Sequence, residues 1–295
     1  MDIKTGVWSV MQLFKIDELI STKTSKSSFL RKAIPRSKAY KHQNFEHPIS
    51  PTLKILVDRG DYTQWRVFSG HLYINPKIFD YIKVNRENFY MIDIGANIGG
   101  FTVLFADELN VAKYEVHLFE PNPGVIPTLQ ENIKRLRQSD SSIKAIVNAY
   151  AVGDKEDTLN LKVDNEHSGL ATLGNSDSFS HSVQVRVIPL DQYVVDNNMQ
   201  HIDFIKIDVE SFEPSVFNGA RKMMERFKPV IYFEYSHEWF DNFGDAYIED
   251  LLQFFSTLGY QFYRETRDRQ LITLPVTIQA LKQYNHLNIL AVGTN

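Results

Sequence analysis

The chain has no cysteine in its 295 residues. That excludes disulfides, thiolate metal sites and cysteine nucleophiles, and by itself it assigns no redox compartment. No apolar run reaches the length of a membrane span, so no span is expected. The first residues carry Asp2, Lys4, Lys15, Asp17 and Glu18, with no clean apolar stretch or small-residue cleavage site. They make a poor signal peptide, and a cytoplasmic location is expected. Basic charge is also lacking. The formal net charge is −4, which does not suit nucleic acid as a partner. No internal repeat is evident. With 43% hydrophobic residues the chain can bury one large core, or a core with a small appendage.

A further absence is the most informative. Residues 91–106 read MIDIGANIGGFTVLFA: a buried strand over 89–94, a glycine turn over 95–100 and a helix opening at Phe101. This strand-turn-helix pattern belongs to nucleotide-binding α/β sheets. The dinucleotide fingerprint needs glycine at the first, third and sixth turn positions. Here Asn97 stands at the third, which argues against NAD or FAD. Asp93 puts a carboxylate at the strand end, where it would repel a phosphate and suit an ammonium group. S-adenosylmethionine has an amino acid, a ribose and an adenine, and no phosphate.

The run from Asp93 to Thr102 resembles the first motif of the FkbM family of S-adenosylmethionine-dependent methyltransferases. FEPNP at 119–123, AVGD at 151–154 and IDFIKIDVES at 202–211 extend the resemblance in the same order, over roughly residues 65–235. It implies a Rossmann-like class I methyltransferase α/β fold. In that fold a seven-stranded, mostly parallel sheet carries helices on both faces. It also implies cofactor contacts at Asp93, Gly95, Ala96, Asn97, Phe101 and Thr102, then at Glu120, Pro121 and Asn122, and finally at Asp208. Ala151 and Val152 would line the adenine, and Tyr73 would lie in the segment that closes over the cofactor. Ile74 stands where the family often has an acidic residue, and Ser211 where it usually has glycine.

The residues support this organisation independently. A small extension over 1–50, with a short helix carrying Val7, Val10, Met11 and Phe14, precedes a main domain over 51–295. Residues 53–57 and 64–68 read as short strands around a turn, and 78–84 as a helix. Glu120 ends the second core strand, where a carboxylate can accept from both ribose hydroxyls. Residues 158–163 and 182–188 alternate, suggesting an antiparallel hairpin inserted into the parallel core. The loop between them offers His167 and Ser168 as polar contacts to an acceptor. Residues 215–227 read as one helix. Residues 260–264 and 287–292 complete the sheet as an antiparallel pair. Lys206, inside a buried strand, needs a carboxylate partner, such as Asp208.

Methyl transfer to a hydroxyl needs a group that draws off the acceptor's proton. Asp208, Glu210, Glu234 and His237 fall at the sheet's carboxyl edge. Two mechanisms remain open: Asp208, Glu210 or His237 as catalytic base beside Glu234 in the acceptor pocket, or a divalent metal such as Mg²⁺ held by Asp208, Glu210 and Glu234. The expected partner is a small hydroxylated molecule, a sugar or a natural product. A non-catalytic binding or scaffolding role on the same fold is the alternative. No feature of the sequence sets an oligomeric state.

Overall fold

The computed structural model describes residues 34–82, 87–109, 111–164, 168–173 and 181–293. The expected helix at Val7–Phe14 and the candidate His167 lie outside the described residues. Five strands are parallel neighbours: β3 (Phe89–Ile94), β4 (Tyr114–Phe119), β5 (Ile143–Asn148), β9 (Phe204–Ile207) and β10 (Val230–Ser236). Their sequences are near-continuous apolar runs because helices cover both faces. All four residues of β9 are buried.

Three antiparallel strands finish the sheet: β11 (Tyr260–Glu265), β12 (Leu271–Leu274) and β13 (His286–Gly293). The order across the sheet is β12-β11-β13-β10-β9-β3-β4-β5. Seven of these strands are those expected, and β12 is an eighth at the edge. Its four residues are too short to show a period. From β3 the chain proceeds through β4 to β5 on one side, then returns to β9 on the other. The crevice between β3 and β9 is therefore the topological switch point, where open α/β sheets bind ligands.

One face packs against α1 (Tyr62–Phe68), α2 (Gly100–Glu108) and α3 (Ile126–Ser139), with Phe68, Phe105, Leu129 and Ile133 buried. The other packs against α4 (Leu190–Asp196), α5 (Glu213–Asn218), α6 (Arg221–Phe227), α7 (Glu238–Phe243) and α8 (Asp245–Thr257). There Val194, Phe217, Met224, Trp239 and Phe255 are buried. Each fully buried aromatic or aliphatic side chain contributes about 1.5–3 kcal/mol relative to exposure. Among the described residues no helix is long and apolar enough to cross a membrane.

Four local expectations change. Residues 64–68 belong to α1, a helix, because Asp61 caps it by accepting from Gln64 N at 2.9 Å. Of the expected helix at 78–84, residues 78–80 belong to a 3-10 turn, Pro76–Asp80, and 83–84 lie outside the described residues. The hairpin of β7 (Asp157–Val163) and β8 (His181–Ile188) stands outside the main sheet. It forms a three-stranded sheet with β6 (Ala151–Val152). The expected helix over 215–227 breaks into α5 and α6 at Gly219, where any Cβ would overlap the carbonyl of Gly153. In addition, β1 (Asn44–Pro48) pairs with β2 (Lys54–Asp58), so the expected division at residue 50 falls inside a hairpin.

Candidate active site

A cavity of about 530 Å³ opens above the carboxyl ends of β3, β4 and β9. Its floor is the turn after β3. Gly95 has φ +76°, and a Cβ there would overlap the carbonyl oxygen of Asp208. Only glycine allows that approach of two strand ends. Gly95 N and Ala96 N both donate to Phe119 O, at 2.9 and 3.0 Å, which ties the turn to β4. Asn97 is left-handed (φ 50°), a conformation asparagine tolerates. Its side-chain oxygen accepts from Ile98 N at 2.8 Å.

Asp93 is not part of the cavity wall. It is fully buried, accepts from Thr102 Oγ1 at 2.6 Å, and lies 3.4 Å from Lys206 Nζ. The register places Lys206 directly beside Asp93 across the β3–β9 pair. This corrects the expected ammonium contact: the chain's own lysine already fills that role, and Asp93 and Thr102 face inward. Lys206 also donates to Gly95 O at 2.6 Å and approaches Asp208 at 3.5 Å. Burial alone would lower its pKa, but Asp208 and Asp93 hold it above the ordinary lysine value.

Glu120, 5% exposed, ends β4 inside the cavity. One carboxylate oxygen accepts from Asn97 N at 2.7 Å and the other from Asn122 N at 2.8 Å. Burial pushes its pKa up to about 7, against those two bonds and the Lys206 charge. Pro121, Phe119, Ala151, Val152 and Leu161 form an apolar slot beside it. Asn122 is buried and acts through its backbone, while its side chain accepts from Gly124 N at 2.9 Å. Ala96 is buried off the cavity, and Phe101 lines a smaller one next to it.

At the far side, one carboxylate oxygen from each of Asp208, Glu210 and Glu234 lies within 4.8 Å of the others. This all-oxygen set is of the kind hard divalent cations take. Burial, followed by the charge of Asp208, raises the pKa of both Glu210 and Glu234 well above the ordinary glutamate value. Glu210 and Ser211 are both left-handed, with φ 52° and 72°. Such a turn persists only when its surroundings fix it. Here Glu213 accepts from Val209 N and from Trp239 Nε1, both at 2.9 Å, and Thr172 Oγ1 donates to Glu210 O at 2.5 Å. Ser211 turns its hydroxyl away from the cavity and donates to Glu238 at 2.9 Å. His237 lies outside the cavity, exposed at the start of α7 with its ring 5.5 Å from that of Phe240. Among the described residues the histidine in the cavity wall is His286, on β13.

The roof comes from α1 and the loop after β7. Ser168 N donates to Asp61 at 2.6 Å, Gly169 N donates to Thr63 Oγ1 at 3.1 Å, and Asn97 Nδ2 donates to Ser168 Oγ at 3.2 Å. Ser168 thus lines the cavity, together with Gly169, Ala171 and Leu173. Tyr73 does not. It donates to Glu265 at 2.6 Å with the Arg269 guanidinium 4.1 Å over its ring, in the wall of a second cavity of about 120 Å³. Sequence reasoning missed Tyr62, Arg66 and His286. The Asp61–Gln64 capping spacing could have found the first two by turning 64–68 into a helix.

A parallel sheet with its switch point between β3 and β9, a carboxylate ending β4 and an apolar slot beside it define a Rossmann-like protein of the methyltransferase architecture. Residues 93–262 match the model of the methyltransferase FkbM domain, and the chain belongs to that family. No curated protein sequence matches the chain. Among solved structures, a methyltransferase FkbM from Methylobacillus flagellatus is 17% identical, with a TM-score of 0.43, over 78% of this chain and 54% of that one. The chain therefore spans about half the length of that relative. TYW2 of M. jannaschii, in complex with AdoMet, is 12% identical over 86% of each chain, with a TM-score of 0.39. Fibrillarin of Aeropyrum pernix, with natively bound S-adenosyl-L-methionine, is 8% identical over 70% of this chain and 67% of that one, with a TM-score of 0.37.

Proposed function

We propose that this protein is an S-adenosylmethionine-dependent methyltransferase that methylates a hydroxyl oxygen of a small molecule. The observation that carries the reading is the buried Glu120 carboxylate beside the Ala151–Val152 slot, in the same cavity as the Asp208–Glu210–Glu234 cluster. The residues present fit this cofactor. The slot would take the adenine, Glu120 the ribose hydroxyls, and Gly95 with Asp208 the amino-acid end. When bound, the cofactor supplies a methyl group already activated on a sulfonium.

What the chain itself must do is orient the acceptor hydroxyl and take its proton. Glu210 and Glu234 suit that role, because burial and the Asp208 charge favour a proton on one of the pair. Raised basicity makes the ionised partner a better acceptor for the hydroxyl proton. The clamped turn holds Glu210 in place, and the Ser168–Leu173 loop keeps water from the apolar end. Carboxylates accept hydrogen bonds from hydroxyls, so the cluster and the net charge of −4 favour a neutral polyhydroxyl acceptor over a nucleic acid. Lys206, 3.5 Å from Asp208, competes with any divalent cation there, which favours direct proton transfer over a metal-held hydroxyl.

Calorimetric titration with S-adenosylhomocysteine tests the reading. Binding on the order of micromolar to the native protein, lost in Glu120→Ala, is expected. No binding to the native protein would overturn it. Binding without turnover on any hydroxylated acceptor would favour a non-catalytic role, and turnover abolished by chelation and restored by Mg²⁺ would move proton removal to a metal.

A further inference from the structure

Helix α1 carries Arg66 to the place where the two cavities meet. Arg66, Asp208 and Glu234 are common to both walls. Among the described residues the Arg66 side chain has no salt-bridge or hydrogen-bond partner, and it is exposed. The neighbouring cations are committed elsewhere. Lys206 is held by Asp93, Asp208 and Gly95 O, and Arg269 lies over the Tyr73 ring. Among the described residues Arg66 is thus the cation at this junction whose hydrogen-bond donors are available to a ligand, with Glu234 near enough to feel its charge. A guanidinium presents a planar fork that matches a carboxylate bidentately.

Asp208 complements it. Its side chain is 46% exposed and faces the same junction, whereas Asp93 is sealed in the core. Glu234 is only half-exposed, so Asp208 is the most open carboxylate shared by the two walls among the described residues, and paired with the open guanidinium of Arg66 it fits a zwitterion. We infer that Arg66 and Asp208 form a zwitterion-binding site: Arg66 takes the carboxylate and Asp208 the ammonium of a ligand's α-amino acid end. The inference rests on the proposed function, in which Asp208 meets the amino-acid end of the cofactor. It makes Arg66, which lies upstream of the matched family segment, a residue that distinguishes the cofactor from simple adenosines.

The test compares two probes by calorimetry. S-adenosylhomocysteine has the amino acid; 5′-methylthioadenosine keeps the adenosine and the sulfur and lacks it. Arg66→Met is expected to weaken S-adenosylhomocysteine about 10- to 100-fold and to change methylthioadenosine less than about threefold. Arg66→Lys, which keeps the charge and loses the fork, should fall between native and Arg66→Met for the first probe only. Equal weakening of both probes, or an unchanged affinity for S-adenosylhomocysteine, overturns the assignment. If Arg66 served only as a countercharge to Glu234, Arg66→Met would shift the pH profile of turnover and leave both affinities intact, which also overturns it. A native protein that binds neither probe fails the underlying cofactor reading, and the assignment fails with it.

Discussion

Cofactor affinity should rise with pH through neutrality, and the cause is one carboxyl group. Glu120 is buried, and its pKa is pushed up from 4.5 to about 7. Each of its oxygens already accepts one backbone N–H, from Asn97 and Asn122. Only the ionised form has lone pairs left on both oxygens for two ribose hydroxyls, so a proton competes with the ligand. If the ionised form alone binds, a pKa of about 7 leaves roughly one molecule in ten competent at pH 6. Affinity for S-adenosylhomocysteine should then be about tenfold weaker at pH 6 than at pH 8.

Stability runs the other way. A carboxyl with a raised folded-state pKa stabilises the fold at low pH. That contribution, about 3 kcal/mol, is lost as pH climbs from 4.5 through about 7. The assay is calorimetry across that range with both S-adenosylhomocysteine and methylthioadenosine. The slope should appear with both, because both carry the ribose. In Glu120→Gln the slope should vanish and affinity should stay low at every pH. The amide would also set its NH₂ against the N–H of Asn97 or Asn122, costing about 1–3 kcal/mol of stability. A native affinity that is flat, or that falls as pH rises, would refute the assignment of Glu120 to the ribose.

Two further outcomes follow from the same packing. Lys206→Met should destabilise the protein by about 3–5 kcal/mol in denaturant unfolding, because Asp93 would be left charged in the core; adding Asp93→Asn should recover part of the loss, and strict additivity of the two changes would argue against the pair. Gly95→Ala should cost about 1–2 kcal/mol from the left-handed backbone alone, with further loss from the overlap with Asp208 O; a melting temperature unchanged from native would show that the turn yields without cost.

The core strands were legible because parallel strands buried on both faces read as apolar runs, and each ends in a recognisable turn. Glu120 was legible for the same reason: its place at the end of β4 is a local feature. Asp93 was not. Its isolation from the cavity depends on Lys206, 113 positions away, and only the β3–β9 register brings the two side by side. The need of Lys206 for a carboxylate could be read from a charge inside an apolar strand, yet Asp208 was the only partner local periodicity could name. Helix α1 was misread because the apolar positions around Trp65 and Val67 alternate, while its capping by Asp61 and the bond from Trp65 Nε1 to Pro35 O decide the conformation. His237 follows β10 in sequence, which by itself points to a place in the site. The turn into α7 carries it outward, and β13 brings His286 to the wall instead.

The place of β13 bears on how the molecule is made. It is the last strand among the described residues, yet it lies between β10 and β11 and pairs with both. As the chain leaves the ribosome, β10 and β11 therefore emerge with no strand between them, and both keep open edges until residues 286–293 arrive. Open edges of this kind recruit strands from other chains. The sheet's other described strands are thus complete while the one that joins β10 to β11 has not yet appeared, and in that interval both edges stay open to another chain.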